Sequence, residues 1–271
     1  MTGFRGGVFF LLAVAAWAQQ PSVEEIIQKS VAANHADFQA GPDYNHEERD
    51  RSGTASKTFA VMMIEGSPYQ RLIAVNGKPV SGAQSAQEER KLKQVEQQRR
   101  SESSEDRQRR IAKYERGRQR NNAMMDQLTK AFQFTLVGER KVKGFDVWDL
   151  KATPKPGYQP PNMDTQVLPG MQGELWIDQK TYQWVRVTAR VIHPVSIEGF
   201  LAQVEPGTQF ELEKMPVGDG VWMASHFAMK SNAKVLFVFT RASQEDDTFF
   251  NYQKAGNESA GTKAAGEATQ H

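Results

Sequence analysis

The stretch GELWIDQKTYQWVRVTARV, from Gly173 to Val191, decides the fold class. Its second half alternates: Val185, Val187, Ala189 and Val191 fall on one face of an extended chain, and Trp184, Arg186, Thr188 and Arg190 on the other. Between the halves, Asp178, Gln179, Lys180 and Thr181 supply turn chemistry, so antiparallel pairing is the simplest connection. A sheet with one apolar face must cover it with protein or with an apolar ligand. Alternation alone leaves both open.

The pattern repeats on either side. Strands are expected over residues 44–51, 57–65 and 69–75, the last leading into Asn76-Gly77 and a short return at 78–80. Both turn residues tolerate the positive φ of a tight hairpin. Further strands are expected at 134–141 and 145–153 around Lys143-Gly144, then at 208–214, 221–230, 234–241 and 248–252. Ahead of the first strand, Ser22 and Glu25 form a capping-box pattern, and Val23, Ile26, Ile27 and Val31 make an apolar stripe at helical spacing. That helix would dock on the sheet. The loop over residues 153–170, TPKPGYQPPNMDTQVLPG, is long enough to suggest a lid or binding segment.

The first residues, MTGFRGGVFFLLAVAAWAQQ, combine Arg5, an apolar run and small residues Ala16 and Ala18 around Trp17. They read as a secretory signal peptide over residues 1–18, cut after Ala18, with an uncleaved anchor as the alternative. Export would place the chain outside the cytoplasm. The domain then spans 19–253, and residues 254–271, which lack large apolar side chains, are expected to be disordered. The chain has no cysteine, so no disulfide, thiolate nucleophile or cysteine-linked lipid is available.

Charge is unevenly spread. Residues 84–120 hold twelve Lys or Arg against seven Asp or Glu, in a chain whose total is +2. Glu89 with Lys93, Glu96 with Arg100, Glu105 with Arg109 and Asp106 with Arg110 have the spacing of helical ion pairs. Leu92, Val95, Ile111 and Tyr114 leave a thin apolar seam, which predicts a helical arm partly in water. Met124, Met125, Leu128, Ala131 and Phe132 then form a fuller stripe that returns to the body, closing a helical insertion over 84–132.

Signal, amphipathic helix, strands, helical insertion and a run of antiparallel strands containing LWID (Leu175 to Asp178) and WVRV (Trp184 to Val187) together resemble the LolA/LolB-like lipoprotein-carrier superfamily. The nearer likeness is to exported bacterial proteins of the outer membrane lipoprotein-sorting type. The resemblance implies an α+β fold, a curved antiparallel sheet or incomplete β-barrel with helices over its concave face and a charged helical insertion. It also implies a periplasmic, non-catalytic, monomeric carrier or binding protein for acyl chains of lipoproteins or lipids. Lacking cysteine, the chain compares with the soluble carriers of that group.

Such a carrier needs apolar contact and no polar code, since each buried methylene contributes about 0.8 kcal/mol. The lining expected here is Val185, Val187, Val191, Phe227 and Met229 from strands, with Ile26, Met124 and Leu128 from helices. The same residues could instead pack on one another. The arginines of the arm, Arg99, Arg100, Arg107, Arg109, Arg110, Arg116, Arg118 and Arg120, offer an alternative function. They suit an anionic membrane surface or an acidic envelope protein, in an interaction module without lipid cargo. Nucleic acid is disfavoured by export and by the interspersed acids.

No catalytic, metal or cofactor site is expected. His46, Glu48 and Asp50 share a strand face without a further ligand in view, and Ser225 and His226 are neighbours that a strand points to opposite faces. No G-x-S-x-G, H-E-x-x-H, phosphate-binding loop or dinucleotide fingerprint occurs.

Overall fold

The computed structural model describes residues 20–197, 202–235 and 239–256. The expected signal segment lies outside them, as does the tail beyond residue 256. Helix α1 (Val23–Ala40) starts at Ser22, whose Oγ accepts from the Glu25 amide at 3.1 Å. Glu25 closes no capping box and pairs instead with Lys29, one turn on. A first meander follows: β1 (Tyr44–Ser52), β2 (Ala55–Ile64), β3 (Ser67–Val75) and β4 (Lys78–Pro79). Helices α2 (Gly82–Ser101) and α3 (Ser104–Ala131) lead to β5 (Phe132–Val142), β6 (Phe145–Pro154), β7 (Met171–Asp178) and β8 (Trp184–Val191). The remaining strands are β9 (Val195–Ile197), β10 (Ala202–Val204), β11 (Gln209–Gly218), β12 (Val221–Val235) and β13 (Phe239–Lys254).

The main path through the sheet runs β4-β3-β2-β1-β13-β12-β11-β8-β7-β6-β5, all antiparallel. The first and last strands meet in its middle, and among the described residues no pairing joins β5 to β3 or β4. The fold is therefore α+β, with a curved open sheet that does not close into a barrel. Connectivity explains where the helical insertion goes. It links β4 at one margin to β5 at the other, so α3, at about 1.5 Å per residue, has the length to reach from β3 to β5.

Two expected turns have the backbone their residues allow: Asn76 and Gly77 lie at φ 50° and 73°, Lys143 and Gly144 at 50° and 90°. The three strands expected over 221–252 are instead two long ones. The polar run Ser243 to Asp247 reads poorly as strand, yet it is paired on one side to β12 throughout, and Asp247 also pairs with Asp50 of β1. Tertiary pairing overrides local preference here.

A bulge corrects the face assignment at the start of β8. Arg186 lies opposite Trp176 and Trp184 opposite Ile177, leaving Val185 as the extra residue. Trp184 therefore joins the core cluster of Ile26, Ile27, Trp148, Leu150, Leu175, Ile177 and Val187. Val185 packs in a separate cluster with Val147 and Trp222. One extra residue swaps the faces of everything before it.

Candidate functional site

Register places two rows of side chains across the sheet on the face toward the helices. The first is Leu136, Leu150, Leu175, Val187, Leu212 and Phe227, each directly opposite the next across six strands. The second, two residues along, is Phe134, Ala152, Gly173, Ala189, Phe210 and Met229. Directly opposed residues on one face have their Cβ atoms about 5 Å apart. Three small residues in succession between two phenylalanines therefore leave a trough. A Cβ on Gly173 would meet the Thr188 carbonyl oxygen at 2.4 Å, so glycine is required at its floor.

The trough is covered from above. Leu128 of α3 and Leu168 of the Pro-rich loop close over it, together with Phe132 and Met171. The void that remains is about 50 Å³, the room of one or two water molecules. Its cover is jointed: Leu168 is 1% exposed, and Tyr158 of the loop donates to Gln127 Oε1 of α3 at 3.2 Å. The side chain of Asn162 caps the turn at Met163–Thr165. The expected lid is thus a seated segment of the fold.

Both rows end on acids. Phe227 lies opposite Asp247, and Met229 opposite Glu245. Burial pushes the Asp247 carboxyl up to about 7, helped by its hydrogen bond to Glu245 and by the charges of Glu48 and Asp50. Glu48 is raised as well, chiefly by burial, against a 3.1 Å hydrogen bond from Gln70. His46, on the same strand as Glu48 and Asp50, stacks on Tyr252 with ring centroids 5.1 Å apart, and burial lowers it to about 4. Among the described residues no group of three metal-ligating side chains comes together.

Helix α1 is held over the sheet by a buried ion pair. Lys214 Nζ donates to Asp37 Oδ2 and, at 2.7 Å, to Asn34 Oδ1. Asp37 Oδ1 accepts from the Trp222 amide at 3.0 Å and from Gln183 Nε2 at 3.1 Å. Burial pulls the Lys214 ammonium below the usual lysine range, and Asp37 opposes that pull.

The basic arm lies closer to the sheet than its composition suggests. Arg99 donates to the carbonyls of Ile64, Ser67 and Pro68, at 2.9, 2.7 and 3.1 Å. Arg110 pairs with Glu102, not with Asp106, and donates to Ser67 Oγ at 2.7 Å. Arg118 lies over the Phe38 ring at 4.3 Å and donates to the Phe38 carbonyl. Glu89 reaches Arg71 at 2.8 Å rather than Lys93. Arg107, Arg110, Ile111, Tyr114 and Arg118 share one stripe of α3, all partly buried, so the seam is built as much from guanidinium groups as from hydrocarbon. Counting apolar residues missed that seam, although its spacing was visible.

The expected lining residues divide. Ile26 is fully buried in the core cluster, and Val187 and Leu128 line the trough. Val191 is buried beside it with Leu168 and Met171. Phe227 and Met229 are partly buried at the far ends of the two rows. Val185 is on the other face, and the side chain of Met124 lies outside the described ones. Ala189 is on the expected apolar face but outside the expected lining, and Ala152 and Gly173 are in neither, though a glycine inside a strand pattern marks a close approach.

No protein-family profile matches the sequence, and no curated protein does. Among solved structures, the chain is similar to an outer membrane lipoprotein-sorting protein domain from Vibrio parahaemolyticus, at 11% identity and a TM-score of 0.30, over 85% of this chain and 94% of that one. A DUF1329 family protein from Desulfovibrio piger gives 11%, 0.27, 85% and 94% on the same measures. MucB from Pseudomonas aeruginosa, solved in complex with MucA, gives 9%, 0.23, 83% and 99%. The expected likeness to lipoprotein-sorting proteins is met among these structures. At such TM-scores it carries no argument about what this chain does.

Proposed function

We propose that the chain is an exported, non-catalytic binding protein that holds an acyl chain in the trough between the sheet and the helices. The observation that supports this reading is the Ala152-Gly173-Ala189 row, a channel of small residues floored by backbone and walled by Phe134 and Phe210. As it stands the void takes little, so an acyl chain enters by displacing Leu128 and Leu168, the cover over the small residues. The chain then runs along the rows toward Phe227 and Met229, which are already partly exposed. In this reading the cargo is the acyl portion of a lipoprotein or lipid, and the compartment is the periplasm, reached through the leader of residues 1–18.

The test is native mass spectrometry of gently purified protein, followed by titration with a fluorescent fatty acid. Retained or accepted lipid is expected, and Ala189→Phe, which fills the trough, should abolish uptake while the fold persists. Protein that neither carries lipid nor takes up the probe would end this reading.

A second reading rests on the outward side of the arm. Lys113, Arg116 and Arg120 are exposed on one stripe of α3, and among the described residues none of them has a carboxylate partner. They suit an anionic membrane surface or an acidic envelope partner. Sedimentation with anionic and zwitterionic vesicles distinguishes this: binding to both alike, or to neither, removes it.

A further inference from the structure

The sheet face opposite the helices carries a groove of about 670 Å³, far larger than the apolar trough. Its floor is a third cross-strand row. Gln172 lies opposite Arg190, Arg190 opposite Gln209, Gln209 opposite Lys230, and Lys230 opposite Gln244. Amide and cation alternate across five strands, and no carboxylate stands in the row.

Acids line the adjacent row, and one of them, Glu211, is held in an ion pair with Arg186. Glu174 lies opposite Lys151, Glu211 accepts from Arg186 Nε at 2.7 Å, and Asp246 contacts His226 Nε2 at 3.3 Å. Glu245 at the rim belongs by register to the helix side, where it bonds Asp247. Arg190 is steadied by the Gln172 amide oxygen, 2.8 Å from its Nε in the amide orientation that satisfies both groups. Neither Arg190 nor Lys230 makes an ion pair among the described residues.

We propose that this groove binds an extended anionic polysaccharide lying across the strands, with an acidic group on alternate sugars. Neighbouring strands are about 4.8 Å apart, so the two cations recur at roughly 10 Å and the whole row spans about 19 Å. A polymer crossing the strands at right angles meets an amide, a cation, an amide, a cation and an amide in turn. Side-chain amides both donate and accept, which matches hydroxyl groups; the cations match an acid on every second unit. An extended peptide is the poorer fit. It docks on a sheet through main-chain hydrogen bonds at an edge, whereas β8, β11 and β12 under the row are paired on both sides and only β13, at Ser243 to Asp246, has an open side. This inference does not depend on the acyl reading, which concerns the other face.

The test is calorimetric titration of the full chain with three probes of matched length: a hyaluronan oligosaccharide, a chitin oligosaccharide and an oligoglutamate peptide. Hyaluronan should bind, more weakly as salt rises, and neither of the others should bind comparably. Arg190→Gln and Lys230→Gln should each weaken it about tenfold. The melting temperature and fatty-acid uptake of both variants should stay as in the parent. Equal binding of oligoglutamate, equal binding of the neutral chitin chain, no hyaluronan binding, or full binding by the double variant would each overturn the proposal.

Discussion

Lys214 reaches from β11 to Asp37 on α1, and the two side chains form an ion pair 9% and 6% exposed. Because Asp37 also takes the Trp222 amide and Gln183, this pair fixes where the helix sits over the apolar rows. Removing one partner leaves a buried charge without its counter-ion. Lys214→Met should therefore destabilise the protein by about 3 kcal/mol or more in denaturant unfolding. The double change with Asp37→Leu should recover much of that loss, because it removes both charges. No recovery would mean that the other Asp37 hydrogen bonds matter more than the pair.

Two buried groups should give stability opposite pH slopes. Folded Asp247 holds its proton to about 7, against 3.8 for the free side chain. Its contribution is full below about pH 4 and is lost as pH rises through 7. Folded His46 stays neutral down to about 4, against 6.5. Its contribution is present above about pH 6.5 and is lost as pH falls through 4. Thermal melts of Asp247→Asn should show stability rising with pH between 4 and 6.5, and those of His46→Phe should show it falling between 4 and 7.

Leu168 plugs the trough. Leu168→Ala should cost about 2 to 4 kcal/mol of stability and enlarge the void beside Ala152 and Met171. If acyl chains enter there, the variant should take up a fatty-acid probe faster than the parent in stopped-flow fluorescence. Slower uptake by a folded variant would count against entry past this residue.

On the arm, Arg99 and Arg100 are neighbours with different surroundings. Arg99 satisfies three carbonyls at the β2-β3 turn, whereas Arg100 is exposed and only 3.8 Å from Glu96 at its nearest. Arg99→Ala should lower stability by about 1 to 3 kcal/mol, and Arg100→Ala should change it by under about 0.5 kcal/mol. Chemical denaturation of both variants decides whether the arm is fastened to the sheet.

Strand alternation, the Asn76-Gly77 and Lys143-Gly144 turns, the Ser22 cap and the charged helices were legible in the sequence, because each depends on residues close together in the chain. Faces and partners were not. A single bulge at Val185 moves Trp184 to the helix side, and period-two reading has no signal for an extra residue that only pairing with Trp176 and Ile177 reveals. The trough needs Ala152, Gly173 and Ala189 from three strands to fall in one row, which is a matter of register. The Arg99 contacts need carbonyls at the β2-β3 turn to face α2, and the raised carboxyl of Asp247 needs strands from opposite ends of the chain to meet. Sequence by itself determined most of the strands and helices and that one sheet face is apolar, but not that Ser243 to Asp247 continues a strand. Tertiary structure alone decided what each face meets, because burial, charge and cavity shape arise between residues distant in the chain.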